Sequence, residues 1–222
     1  MRRENRSAYS QVVDIVRYGA LVVLAYLLGS IPTGYMVARA KGIDIRTVGS
    51  GNIGATNAFR VLGKAAGIMV LAADFLKGLL GCGVLPWLLF HTGVYEETRV
   101  VPEILAGFCS VLGHNYTIWL GFKGGKGIAT SAGVLTALVP WALLTILSIW
   151  IVLFAVTRYV SIASLAASVS LPFATWVFYQ NWTLSLVTGA MGVLAIYKHR
   201  GNIQRLLNGT EPRFARKKEL AQ

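Results

Sequence analysis

The chain has 222 residues, 55% of them hydrophobic and only 14% charged, with a formal net charge of +12. That is too apolar for a soluble domain of this size, and the apolar residues come in blocks of about 20, the pattern of a polytopic helical membrane protein. Nucleic acid is thereby excluded as a partner, because the positive charge is explained by Lys and Arg collecting in cytoplasmic loops.

The first seventeen residues carry Arg2, Arg3, Arg6 and Arg17 but no apolar signal core or small-residue cleavage site. They read as a basic arm, residues 1–17, lying at the membrane interface. Tyr18–Ala38 is the first expected span, followed by a polar, Gly-rich segment from Arg39 to Lys64. Ala65–Phe90 is the second, interrupted by Asp74 and Lys77, which at i,i+3 spacing can pair on one helix face. Ionisable residues inside a span point by default to function, with a structural ion pair as the alternative. Cys82 and Cys109 lie in apolar runs and read as packing residues rather than a disulfide or metal pair.

His91–Glu103 is a short connector, and Ile104–Leu120 is the third span. From Ile128 to Tyr197 the chain is almost wholly apolar, broken at Pro140, at Thr157–Arg158 and at Gln180–Asn181. These breaks give four segments and a total of seven spans. The segment Ile128–Val139 would be only about 18 Å long against a hydrocarbon core of about 30 Å, so a five-span count with merged segments stays open. The expectation is an all-α, polytopic membrane helix bundle of about seven transmembrane helices. A single catalytic domain, 18–200, is followed by a cytoplasmic motif and basic tail, 201–222.

Charge sets the orientation. Arg39–Lys64 carries five basic residues against one Asp, and Lys198–Gln222 seven against two Glu. The connector His91–Glu103 has one Arg and three carboxylates. Basic segments face the cytoplasm, so the first loop, the loop after the third span and the tail share one side. An odd span count then puts the N-terminus outside despite its arginines, and the C-terminus in the cytoplasm.

Three polar constellations stand out. The first, GSGNIGATN at Gly49–Asn57, would let backbone approach a ligand, with Ser50, Asn52, Thr56 and Asn57 as side-chain donors and Arg60 as a phosphate fork. A solvated turn with a helix cap at Thr56 or Asn57 is the plain alternative. The second is HNYTIWLGFKGGKGIAT, His114–Thr130. Lipid cannot hydrogen-bond a glycine-rich backbone, so this loop needs an aqueous or protein-lined setting. Loop amides at Gly124, Gly125 and Gly127, flanked by Lys123 and Lys126, suit an anion such as phosphate. Gly127 stands where a Walker loop would place Ser or Thr, which disfavours nucleotide hydrolysis and metal dependence. His114 could donate to the anion or accept a proton. The third, HRGNIQRLLNGTE at His199–Glu211, offers Asn202 as donor and acceptor, while Glu211 could pin the segment through an arginine. Arg200 and Arg205 read most simply as membrane anchors. GATNA and GIATSA echo each other, each ending a Gly-rich loop and opening a helix.

With these residues in place the chain resembles the PlsY family of bacterial acyl-phosphate:glycerol-3-phosphate acyltransferases. The resemblance runs from LLGSIPTGY at Leu27–Tyr35 through GSGNIGATNAFR, ADFLKG and GHNYTIWLGFKGGKGIAT to HRGNIQRLLNGTE, in the family's order. It implies a seven-helix enzyme of the bacterial inner membrane with its active site facing the cytoplasm and no cofactor or metal. Glycerol 3-phosphate and long-chain acyl phosphate would be the substrates and lysophosphatidic acid the product. The acyl-phosphate-producing enzyme and membrane lipid are the implied partners. It further implies catalytic roles for Ser50, His114 and Asn202. Phosphate binding falls to Asn52, Thr56, Asn57, Arg60, Lys123, Gly124, Gly125, Lys126 and Gly127, with support from Asp74, Lys77, Arg200 and Glu211.

Two competitors remain open. A transporter of phosphate esters also uses broken helices and intramembrane charge, but predicts polar sites near the midplane. A non-catalytic anchor leaves Ser50 and Asn202 without a role. The His-x4-Asp signature of soluble-type acyltransferases is missing: Trp119 and Gln204 occupy the fifth position after His114 and His199, and the match of His91 with Glu96 reads as chance.

Overall fold

The structure, a computed structural model, describes residues 2–90 and 99–214, with side chains from residue 11 onward. His91 and Glu96 therefore lie outside the described residues. Among the described residues all regular structure is helical. Contacts divide the chain into two compact units, Met1–Leu138 and Val139–Gln222.

In the first unit α1 runs from Arg2 to Ser30 without a break between the arm and the apolar stretch, so the arm is the start of that helix. The expected span Tyr18–Ala38 is instead broken near its end. Pro32 has no amide hydrogen to donate, and the chain restarts as α2, Thr33–Arg39. A short α3, Ala55–Leu62, lies within the polar segment, its first turn opening at Gly54. The second span is α4, Lys64–Leu79, continued through a π turn at Leu80–Val84 into α5, Leu85–Phe90. Gly81 sits in that wide turn, and a Cβ there would strike the Ser110 hydroxyl.

Helix α6, Val100–Asn115, ends five residues before the expected third span does. The Tyr26 hydroxyl donates to the Tyr116 carbonyl at 2.7 Å, and Thr117 Oγ1 donates to the Ser30 carbonyl at 2.5 Å. These bonds satisfy backbone oxygens released by both helix ends, which in an apolar setting would otherwise cost several kcal/mol each. A single 3₁₀ turn, Ile118–Leu120, leads to the glycine-rich loop and then to α7, Ile128–Leu138. Helix α1 packs on α6, and α4 packs on α7. Glycine makes both approaches close: a Cβ at Gly29 or Gly113 would collide with backbone of the facing helix, and so would one at Gly78 or Gly133.

The second unit is α8, Pro140–Thr157; α9, Val160–Tyr179; and α10, Trp182–Lys198. These match the breaks expected at Pro140, Arg158 and Asn181. Arg158 and Gln180 adopt left-handed backbone where α8 and α9 stop, and the Asn181 side chain caps α10 by accepting from the Leu184 amide at 3.0 Å. Helix α9 packs against both α8 and α10, and a short α11, Arg200–Leu207, follows. By length and composition Gln11–Arg39, Lys64–Phe90, Pro140–Thr157 and Val160–Tyr179 are able to cross a membrane; Ile128–Leu138 and Trp182–Lys198 are shorter apolar helices.

Candidate functional site

The loop between α2 and α3 is organised by one buried side chain. Asn57 Nδ2 donates to the carbonyls of Asn52 at 3.0 Å, Val48 at 3.1 Å and Ile45 at 3.3 Å, while its Oδ1 accepts the Ser50 amide at 2.9 Å. At 1% exposure Asn57 is the loop's internal scaffold. Asn52 Oδ1 accepts the Gly54 amide at 2.9 Å, shaping the entry to α3. Neither Thr56 nor Asn57 caps that helix. Ser50 and Arg60 are exposed, and Thr56 is half-buried.

The same loop carries a cluster that sequence reasoning missed. Asp44 pairs with Arg46 at 2.7 Å and with Arg39 at 3.3 Å, and both guanidinium groups lie over the Tyr35 ring. The hydrogen bond from Arg46 holds the Asp44 carboxyl well below the usual carboxylate range, against the opposing effect of desolvation. An acid two residues from an arginine was the one signal available.

The glycine-rich loop folds back on the end of α6. The Gly124 amide donates to the Asn115 carbonyl at 3.2 Å and the Gly125 amide to the His114 carbonyl at 3.0 Å. Those two amides donate within the chain itself. The glycines serve close packing instead. A Cβ at Gly124 would strike the His114 carbonyl, and one at Gly125 the His114 ring at Nε2. Gly127, with φ of 81°, has Asn115 Oδ1 at 2.7 Å from the place of a Cβ. Gly127 also accepts the Ser131 amide at 2.7 Å, which starts α7 and leaves the first amides of that helix without intrahelical partners. Lys123 is exposed and Lys126 half-buried.

Behind the loop lies a buried cluster of ionisable groups. Lys77 Nζ is 2.9 Å from Asp74 Oδ1 and donates to the Ile31 carbonyl at 3.0 Å. His114 Nδ1 is 3.6 Å from the same Asp74 oxygen. Asp74, His114 and Lys77 are 3, 4 and 5% exposed. The i,i+3 pairing was legible in the sequence; the addition of His114, forty positions on, was not. With Nδ1 toward Asp74 and Nε2 against Gly125, the imidazole faces protein on both sides. In that position His114 shapes the loop. Among the described residues no three of His, Cys, Asp and Glu gather as metal ligands.

In the second unit Glu211 is the organiser. Asn202 Nδ2 donates to its Oε1 at 2.6 Å, and Arg205 Nε to its Oε2 at 2.8 Å. Burial acts to raise the Glu211 pKa, but hydrogen bonds from Asn202, Ser161 and Arg205 outweigh it and the net direction is downward. The pinning arginine is Arg205. Arg200 lies 4.6 Å over the Tyr197 ring instead. Beyond Glu211 the Phe214 amide donates to the Arg158 carbonyl at 2.9 Å, and Arg158 Nε donates back to the Phe214 carbonyl at 3.4 Å.

Helices of membrane-crossing length, with the polar chemistry gathered in their connecting loops and at a buried cluster behind one of them, define a multi-pass integral membrane protein. The sequence profile described as glycerol-3-phosphate acyltransferase matches residues 19–209. The glycerol-3-phosphate acyltransferase of Geotalea daltonii is 45% identical over 196 residues, covering 88% of this chain and 97% of the relative. That of Bacillus subtilis is 43% identical over 194 residues, covering 87% and 95%. Crystal structures of PlsY, an integral membrane glycerol 3-phosphate acyltransferase, superpose with TM-scores of 0.82 for the glycerol 3-phosphate form and 0.78 for a lysophosphatidic acid form. Each is 40% identical and covers 92% of this chain and 99% of the solved one. The chain belongs to the PlsY family of glycerol-3-phosphate acyltransferases, and is an acyltransferase.

Proposed function

We propose that this enzyme transfers a fatty acyl group from a long-chain acyl phosphate to the 1-hydroxyl of glycerol 3-phosphate, forming lysophosphatidic acid for phospholipid synthesis. The observation that carries this reading is the 40% identity, over 92% of the chain, to a protein solved in glycerol 3-phosphate and lysophosphatidic acid forms. The loops add a chemical argument. An acyl phosphate is a mixed anhydride, already activated, so the hydroxyl oxygen attacks the acyl carbonyl directly. The carbon–oxygen bond to phosphate breaks and phosphate leaves.

The main obstacle is the repulsion of two phosphate dianions held side by side. Arg60, Lys123 and Lys126 supply the opposing charge, with the first-turn amides of α7 as further donors. Ser50 and Asn202 are the polar groups assigned to the reacting atoms, Asn202 being oriented by Glu211. Catalysis is then positioning and charge stabilisation. Because His114 is buried in protein, the hydroxyl proton passes to an oxygen of the departing phosphate, a substrate-assisted route. The protein would act in the bacterial inner membrane with these loops toward the cytoplasm and seven crossings. It would receive its amphiphilic donor from the enzyme that makes it or from the inner leaflet.

The test uses purified protein in detergent with palmitoyl phosphate and labelled glycerol 3-phosphate. Labelled lysophosphatidate is the expected product, with none from palmitoyl-CoA. Folded protein that makes no lysophosphatidate from the acyl phosphate would overturn the proposal.

A further inference from the structure

We propose that Asp74 is a positioning residue for the glycine-rich loop, acting through the His114 ring, with Lys77 as the counter-ion that fastens it to the chain break at Ile31. The inference rests on the function proposed above for what the loop binds, but the geometry stands without it.

One face of α4 carries the argument. Positions 67, 70, 74, the adjacent pair 77 and 78, and 81 follow one another at helical spacing, and each meets a different neighbour. A Cβ at Gly67 would enter the Phe59 ring, and Val70 lies beside Gly34. Asp74 faces His114, Lys77 reaches the Ile31 carbonyl, a Cβ at Gly78 would strike the Thr130 carbonyl, and one at Gly81 the Ser110 hydroxyl. Four of these are small-residue or apolar contacts that fix how closely helices approach. The ionic pair does something different. Buried charge in a span is expensive, and a well-packed apolar pair holds helices together at least as well. What an apolar pair lacks is a direction for an imidazole.

Asp74 Oδ1 lies at 3.6 Å from His114 Nδ1, beyond hydrogen-bond length but close enough for the carboxylate to orient the ring electrostatically. The opposite ring edge, at Nε2, is the surface on which Gly125 lies, so close that no side chain fits there. Rotation of the ring would push Gly125 away and strain the bonds from the Gly124 and Gly125 amides to the end of α6. Lys77 extends the same control to the other loop. It holds Ile31 just before α2, and Gly34 in α2 packs on the Ile53 carbonyl within the GSGNIG turn.

The test is the double variant Asp74→Leu/Lys77→Met, which removes both charges and leaves none unpaired. Hydrogen exchange is read over residues 116–128 in folded protein, beside steady-state kinetics. Exchange at that segment is expected to rise by about tenfold while the α4 and α7 amides hold. The KM for glycerol 3-phosphate is expected to rise by about tenfold, with a smaller fall in kcat, as when the support of a binding group is lost. A folded double variant with wild-type exchange in 116–128 would overturn the proposal, because a merely structural pair predicts that outcome. If the wild-type enzyme itself made no lysophosphatidate, the functional reading would fail, and the exchange comparison would still decide the role of Asp74.

Discussion

Arg60 stands on α3 and Lys126 on the glycine-rich loop of the first unit, and neither has an acid beside it in the sequence. If they bind phosphate, Arg60→Ala and Lys126→Ala should each raise KM for one phosphorylated substrate and lower kcat, by a total of about 10²-fold in kcat/KM for a charge-assisted contact. Unchanged kcat/KM in both would place the anion elsewhere. Asn57→Ala leaves buried carbonyls and the Ser50 amide without their partner, so a loss of about 2–3 kcal/mol is expected, read as a lower melting temperature in detergent. Glu211 gives a pH test with a definite sign. Its folded pKa lies below the ordinary value of 4.5, so the unfolded tail binds the proton more tightly. Its contribution is fully present above that value and is lost as pH falls through the lower, folded one. Protease resistance of residues 200–214 should therefore drop on acidification below about pH 4.5 in the wild type and show no such step in Glu211→Gln. Asn57, Gly124, Gly125 and His114 share one property that spacing alone does not reveal. Each is a polar or flexible group in a functional-looking loop whose partner is the chain itself, and sequence spacing does not distinguish a ligand from a carbonyl.

At the scale of elements, the breaks at Pro140, Arg158 and Asn181 were legible because the signals are local: a proline, a basic interruption and a capping amide. Pro32 offers a local signal of the same kind, but the side chains that serve its break, like those at the early end of α6, lie far away in sequence. Lys77, Tyr26 and Thr117 supply the partners that let those helices stop. The π turn at Leu80–Val84 was likewise invisible; the Gly81 within it packs on Ser110 of another helix. Close helix approach gives the matching prediction. Gly133→Leu would drive a side chain into the Phe75 carbonyl across the α4–α7 contact. Overpacking of this kind costs about 1–3 kcal/mol where neighbours can shift, and more against backbone. The variant should melt well below wild type, whereas Gly19→Leu, with open space around it, should not.

At the scale of the molecule, the all-helical class and the membrane character were plain from composition, while the number of crossings was not. Four stretches meet the length and apolarity needed, and the rest of the seven crossings proposed here fall to shorter helices, among them Ile128–Leu138. Single cysteines at Asn52, Lys123 and Gln204, on an otherwise cysteine-free background, should all react with a membrane-impermeant maleimide from the cytoplasmic side only. Labelling of any one of them from the periplasm would end the shared-face topology and the five- and seven-span counts with it.

The Ser30 carbonyl has a consequence for how the protein is made. It lies at the end of α1, and its partner Thr117 is synthesised 87 residues later. Until Thr117 emerges from the ribosome, the end of the first helix holds an oxygen that lipid cannot satisfy. The nascent helix must keep that end at the water boundary or inside the insertion machinery. Its final seating thus comes after the third apolar segment has been delivered, and release into the bilayer follows the order of translation only in part.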